Sequence, residues 1–188
     1  MTQNPLKLGF TPQEFSTYIR KIHPQKFSNG TSIEGAVLHN TFMPDLKMVN
    51  GYLDSKKWTA EQLIDNWWVS YRKQGWQSGP HIFVFPHKIY VATPLTDRGT
   101  HSPSFNKAQW GLEMVGDYSH ETLPKEMRDM GVHVFAEMFK SLGKNASNGN
   151  FHFHGEDPRT SHKHCPGVNV GPKSQWIADI NSHLATLK

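Results

Sequence analysis

Two helix starts are spelled out in this chain as capping boxes, and what lies around them limits the fold to a mix of helices and short strands. Thr11-Pro12-Gln13-Glu14 offers a capping hydroxyl, a proline at the first helical position and a glutamate at the third. Phe15, Tyr18, Ile19 and Ile22 then recur at helical spacing and predict one buried stripe. Thr59 with Gln62 repeats the signal ahead of Leu63, Trp67 and Tyr71. Pro124 opens a further helix carrying Met127, Met130, Val134, Met138 and Leu142. Ser174 is expected to cap a terminal helix whose inner face is Trp176, Ile177, Ile180 and Leu184.

Short apolar runs fill the gaps. Ala36-Val37-Leu38 reads as a strand that delivers His39, Asn40 and Thr41 at its C-terminal end. His81 to Phe85 and Lys88 to Ala92 read as paired strands around a turn at Pro86-His87. Gln109 to Val115 and Phe151 to His154 give two more, while residues 42–58 read as an irregular loop. The alternation is too loose for a doubly wound nucleotide fold, and no Gly-rich phosphate loop follows a strand. The expected fold class is α/β: a single domain over residues 1–188, with a mixed central β-sheet flanked by helices.

Composition narrows the function classes. At 188 residues and 36% hydrophobic the chain supports one cored domain. No apolar run approaches the roughly 18 residues that span a bilayer. The stretch Met1 to Lys7 lacks a basic segment followed by an apolar one, so a Sec leader is not expected and synthesis is expected to be cytoplasmic. The formal charge is +4 with 12 histidines besides, but the basic residues are scattered, Lys56-Lys57 and Arg72-Lys73 being the densest pairs. Nucleic-acid binding is therefore not expected.

The chemistry-bearing stretch is Phe151-His152-Phe153-His154-Gly155-Glu156-Asp157, followed by Lys163-His164-Cys165-Pro166-Gly167. A lone cysteine makes no internal disulfide, and one set on a Pro-Gly turn among histidines suits a zinc-bound thiolate better than a core thiol. A catalytic zinc takes three protein ligands and keeps one position open. Cys165 is the natural thiolate, His154 the natural second ligand, and His39 at the end of its own strand the best third. His152 lies two residues from His154, on the same strand face, and is an alternative ligand or a cleft-lining residue.

His39-Asn40-Thr41, Ser78-Gly79-Pro80-His81-Ile82-Phe83-Val84, Gly111-Leu112-Glu113-Met114-Val115-Gly116, His154 and Lys163-His164-Cys165-Pro166-Gly167 occur in one order. As a set they resemble the zinc amidases of the N-acetylmuramoyl-L-alanine amidase family (type 2), which includes phage endolysins, wall-recycling amidases and animal peptidoglycan recognition proteins. The resemblance covers about residues 33–170, with the terminal helices expected to pack on that core. It implies one catalytic Zn²⁺ held by His39, His154 and Cys165, Glu113 as the base that takes a water proton, and Lys163 as the cation that counters the oxyanion. It also implies peptidoglycan or a muropeptide as substrate, with His101 and Asn106 facing the cleft as substrate contacts. A non-catalytic peptidoglycan-binding module is the alternative. A monomer is expected, acting on the wall after release, as endolysins do, or on cytosolic muropeptides.

Two departures from the family pattern stand out. The His154–Cys165 interval implies an enlarged loop through Pro158 to His162. Pro80 also stands where some phage members carry a tyrosine, so general-base work is expected to fall on Glu113 alone.

Overall fold

The computed structural model describes residues 3–187; Met1 and Thr2, at the start of the segment read for a leader, and Lys188 lie outside the described residues. In chain order the elements are β1 (Leu8–Phe10), α1 (Pro12–Ile22), β2 (Gly35–Asn40), α2 (Leu46–Asp54), α3 (Ala60–Lys73), β3 (Ile82–Val84), β4 (Ile89–Val91), β5 (Gln109–Met114), α4 (Lys125–Leu142), β6 (Phe151–Phe153) and α5 (Lys173–Thr186). Both capping boxes form. Thr11 accepts from the Glu14 N–H while Glu14 accepts from the Thr11 N–H, and Thr59 and Gln62 do the same.

The six strands make one mixed sheet in the order β1-β4-β3-β5-β2-β6. β3, β5, β2 and β6 run parallel, while β4 and β1 add an antiparallel edge. Register then assigns faces, because side chains alternate along a strand. Leu38, Leu112 and Phe153 align on one face. His39, Glu113 and Phe83 align on the other.

The first face carries the main core. α4 lies across it with Val134, Phe135 and Met138 fully buried, and Phe135 meets Phe151 and Trp176 edge-on at 5.0 and 6.1 Å. On the second face α3 covers β3, with Trp67 stacked on Phe83 at 5.1 Å. Beyond β3, β5 and β2 present Glu113 and His39 on this face, and the cleft opens there.

Three local expectations change. Residues 42–58 are not all loop: Asp45 caps α2 by accepting from the Met48 N–H at 2.7 Å, and Leu46 and Val49 are buried. The terminal helix begins at Lys173 behind Pro172, with no side-chain cap, so Ser174 sits inside its first turn. The strand at Phe151 stops at Phe153, and His154 opens a short 3₁₀ turn, His154–Glu156. β1 is an element the sequence pattern did not suggest; its residues are mostly exposed, so no buried alternation marks it.

Phe135 joins α4 to both β6 and α5 in a fully enclosed setting. Phe135→Ala is expected to lower unfolding free energy by about 3–5 kcal/mol, the usual cost of emptying an aromatic core position. Urea denaturation of the two proteins checks this.

Candidate metal and catalytic centre

Adjacent parallel strands place His39 and Glu113 side by side. They are register partners in β2 and β5, and His39 Nδ1 lies 4.0 Å from Glu113 Oε1. Both are buried, at 2% and 7% exposure. The 3₁₀ turn that follows β6, the neighbour of β2 on its other side, brings His154 against His39, with ring centroids 4.4 Å apart. Cys165 returns to the same spot because the Gly155 N–H donates to the Cys165 carbonyl at 2.8 Å. Only glycine fits at 155: a Cβ there would lie 2.4 Å from the Lys163 carbonyl oxygen. Ligand atoms of His39, His154 and Cys165 all fall within 4.8 Å of one another.

Hydrogen bonds fix which nitrogen of His39 is free. The Gln109 carbonyl only accepts, so His101 Nε2 carries a proton and donates to it at 3.1 Å. The other nitrogen of a neutral His101, Nδ1, then accepts from His39 Nε2 at 3.1 Å. His39 Nδ1 is left with its lone pair, on the side of Glu113. A metal-binding histidine usually donates its other ring N–H to an acceptor that fixes its tautomer, and here that acceptor is His101, itself held by the Gln109 carbonyl. His101 reaches this position because residue 111 is glycine; a Cβ there would meet the His101 ring at 2.4 Å. On the far side, His154 Nε2 shares a 2.8 Å hydrogen bond with the Thr160 hydroxyl, which also accepts from the His162 N–H.

The electrostatics follow from burial. Burial, then the neighbouring imidazoles, hold His39 well below the ordinary histidine range. Burial takes His154 down to about 4. Both rings are therefore neutral and can ligate. Burial, with Glu113 adding to it, raises the Cys165 thiol, against which the Asn40 backbone N–H works in the opposite sense. Burial also raises Glu113 well above the carboxylate range, and Glu113 Oε2 is enclosed with no hydrogen-bond partner. Two imidazoles and a thiol beside an unsatisfied carboxyl fit a divalent ion of borderline softness such as zinc. Its charge is what would let thiol and carboxyl ionise together.

The other residues named from sequence fall as follows. Lys163 lines the cleft, its ammonium tied to the Asp157 carbonyl at 2.6 Å. His101 is buried behind His39, and Asn106 accepts from the His101 and Ser102 backbone N–H groups; both line the cleft. His152 stands outside the cleft, stacked on Phe105 at 4.4 Å and 3.6 Å from Glu156. The cleft encloses about 1030 Å³ and takes in His39, Glu113, His154 and Cys165 at its base.

Two site residues carry no sequence signal of their role. Asp157, fully enclosed, accepts from the Ser102 hydroxyl, from the Ser104 hydroxyl and N–H, and from the Arg159 N–H, at 2.6–2.8 Å. It pins the segment bearing His101 to the loop bearing Cys165. Tyr71 enters from α3, lines the cleft and lies within the field of Glu113, which adds to burial in raising its phenol. A phenol is thus present despite Pro80, supplied by a helix instead of by the strand.

Comparison with known proteins follows the geometry. The family model for N-acetylmuramoyl-L-alanine amidase matches residues 29–168. Among solved structures, the chain is similar to the endolysin N-acetylmuramoyl-L-alanine amidase LysCS from Clostridium intestinale, at 16% identity, covering 79% of this chain and 84% of that one, with a TM-score of 0.52. It is also similar to a Drosophila PGRP-LB mutant in complex with tracheal cytotoxin, at 18% identity, 89% and 84% coverage and a TM-score of 0.54. Peptidoglycan recognition protein LE, also in complex with tracheal cytotoxin, gives 15% identity, 89% and 83% coverage and a TM-score of 0.56. No curated protein matches the sequence. At these identities the structural likenesses establish the fold.

The Asp157 junction has a pH signature. Burial alone would raise its pKa, but the hydroxyls of Ser102 and Ser104 and the two backbone donors outweigh burial and bring it to about 2. An unfolded aspartate titrates near about 4. The stabilisation is therefore fully present above about pH 4 and is lost as pH falls towards about 2. Asp157→Asn is expected to flatten this part of a stability-versus-pH curve measured by chemical denaturation.

Proposed function

Because the chain belongs to the N-acetylmuramoyl-L-alanine amidase family, we propose that it is a zinc-dependent hydrolase of peptidoglycan or muropeptides. The bond it cuts joins the lactyl group of N-acetylmuramic acid to L-alanine. The observation that carries this reading is the convergence of His39, His154 and Cys165 beside a buried carboxyl whose Oε2 has no partner. A recognition module needs neither the thiol nor the orphaned oxygen, and the unpartnered carboxyl oxygen would be costly to keep buried without a task.

His39 Nδ1, an imidazole nitrogen of His154 and Cys165 Sγ would hold the ion. Bound there, zinc supplies Lewis acidity towards the scissile carbonyl and the attacking water. Glu113 takes the water proton at Oε2 and returns it to the leaving alanine nitrogen, so the carboxyl acts first as base and then as acid. Burial sharpens this role, because a proton on a dry carboxylate is exchanged only with what enters the cleft. Lys163 keeps one ammonium proton on the Asp157 carbonyl and has two left to counter charge on the carbonyl oxygen. His101 holds His39 in the one tautomer that presents Nδ1.

The test is a mass-spectrometric product map of digested peptidoglycan beside a zinc assay. The wild-type chain is expected to carry one zinc and to release peptides with a free L-alanine amine. Glu113→Gln should keep the metal and lose about 10²–10⁴ in rate, whereas Cys165→Ala should lose both. Binding of muropeptide without new amines would identify a recognition protein instead. A cut inside the stem peptide would make it a peptidase.

A further inference from the structure

The cleft has two chemically different banks. In the sheet, β3 and β6 are separated by β5 and β2, three strand spacings or about 14–15 Å. The β6 bank is the loop running to Cys165, which contributes Arg159, His162, Lys163 and His164 to the lining. The β3 bank is aromatic: Tyr71 and Trp76, stacked at 4.9 Å, line it from the end of α3. At the C-terminal end of β2, between the banks, stands Phe42.

Phe42 is unusual in two independent ways. It is 56% exposed, the second most exposed large hydrophobic side chain among the described residues, and no aromatic ring packs on it. Its backbone also sits at φ +60°, a left-handed conformation that a bulky side chain adopts only at a cost in free energy. Neighbouring structure holds it there, since the Phe42 N–H donates to the Gly116 carbonyl and the Met43 N–H to the Thr41 carbonyl. Neither packing nor backbone preference accounts for a phenylalanine at this place. The backbone is satisfied better by glycine or asparagine, and strained bulky residues of this kind cluster at ligand-binding sites.

We propose that Phe42 is the saccharide platform of the cleft, its ring carrying the C–H face of the N-acetylmuramic acid residue. This rests on the amidase reading and gives the substrate an orientation. The stem peptide, with its carboxylates, goes to the cationic bank, and the sugar ring, apolar on its face and hydroxylated at its edge, goes to the bare aromatic ring. Phe42 stands three residues beyond His39, so a sugar on this platform is next to the ligand cluster where the lactyl amide must lie.

Two ligands separate the sugar from the amide: muramyl dipeptide, and D-lactyl-L-alanyl-D-isoglutamine, which keeps the scissile bond but lacks the ring. Dissociation constants are measured by calorimetry in a Glu113→Gln background, so that turnover does not interfere. Adding Phe42→Gly is expected to weaken muramyl dipeptide about tenfold and the sugarless ligand less than twofold. Phe42→Trp should keep the wild-type ratio. The melting temperature of Phe42→Gly should stay within about 2 °C of the parent, because relief of the left-handed strain offsets the half-buried area lost. Equal weakening of both ligands, no weakening of muramyl dipeptide, or binding of neither ligand overturns the proposal. Hydrolysis by the chain with Glu113 intact is scored separately. A sugar-selective loss without any hydrolysis refutes the amidase reading alone, and hydrolysis with no sugar-selective loss refutes the platform alone.

Discussion

The parallel pairing of β2 with β5 is the constraint on which the rest of this site depends. It sets His39 beside Glu113 on one face of the sheet while Leu38 and Leu112 go to the other. A slip of β2 by one residue would send His39 into the core beneath α4 and bring Leu38 into the cleft, away from the face of Glu113. Burial of the opposite face against Phe135, Trp176 and Met138 therefore does more than stabilise the domain. It makes the polar arrangement the only register compatible with a packed interior.

Much of this was legible in the sequence, and the reasons are local. The capping boxes at Thr11 and Thr59 announce α1 and α3 because both partners lie within one turn. The strands carrying His39 and Glu113 show as short apolar runs. The convergence of His39, His154 and Cys165 was readable because a single cysteine and a few strand-end histidines leave little choice, and because their order resembles a family. α2 was missed although Asp45 caps it and Leu46, Val49 and Leu53 repeat at helical spacing. Asn50-Gly51 in its interior and Pro44 before it read as loop, and its stability comes from tertiary contact that propensity does not report. The start of α5 was misplaced because Ser174 is a better cap by type than Pro172, which nevertheless starts the helix.

What was not legible is what depends on distant parts of the chain meeting. Asp157 looks like one more loop acidic residue until Ser102 and Ser104, more than fifty residues earlier, converge on its carboxylate. Tyr71 reads as the end of a helix stripe, and only the packing of its ring against Gly79, where a Cβ would lie 2.9 Å away, shows why it turns into the cleft. His152 is the reverse case. Its spacing from His154 implied a shared face, but the chain turns at His154, and Phe105 covers the earlier ring.

The Asp157 junction also has a mechanical meaning. One carboxylate clamps the segment holding His101, and hence the support of His39, to the loop holding Cys165, while His154 sits between the two. These parts form a stiff jaw whose members cannot drift separately without abandoning several short hydrogen bonds at once. The turn through Met43 and the start of α2 are anchored in the same way, the Leu46 and Lys47 N–H groups donating to the Glu121 carboxylate at 2.7 and 3.0 Å and Trp67 Nε1 to the Met43 carbonyl, so a bulky polymer meets a mouth whose walls are set before it arrives.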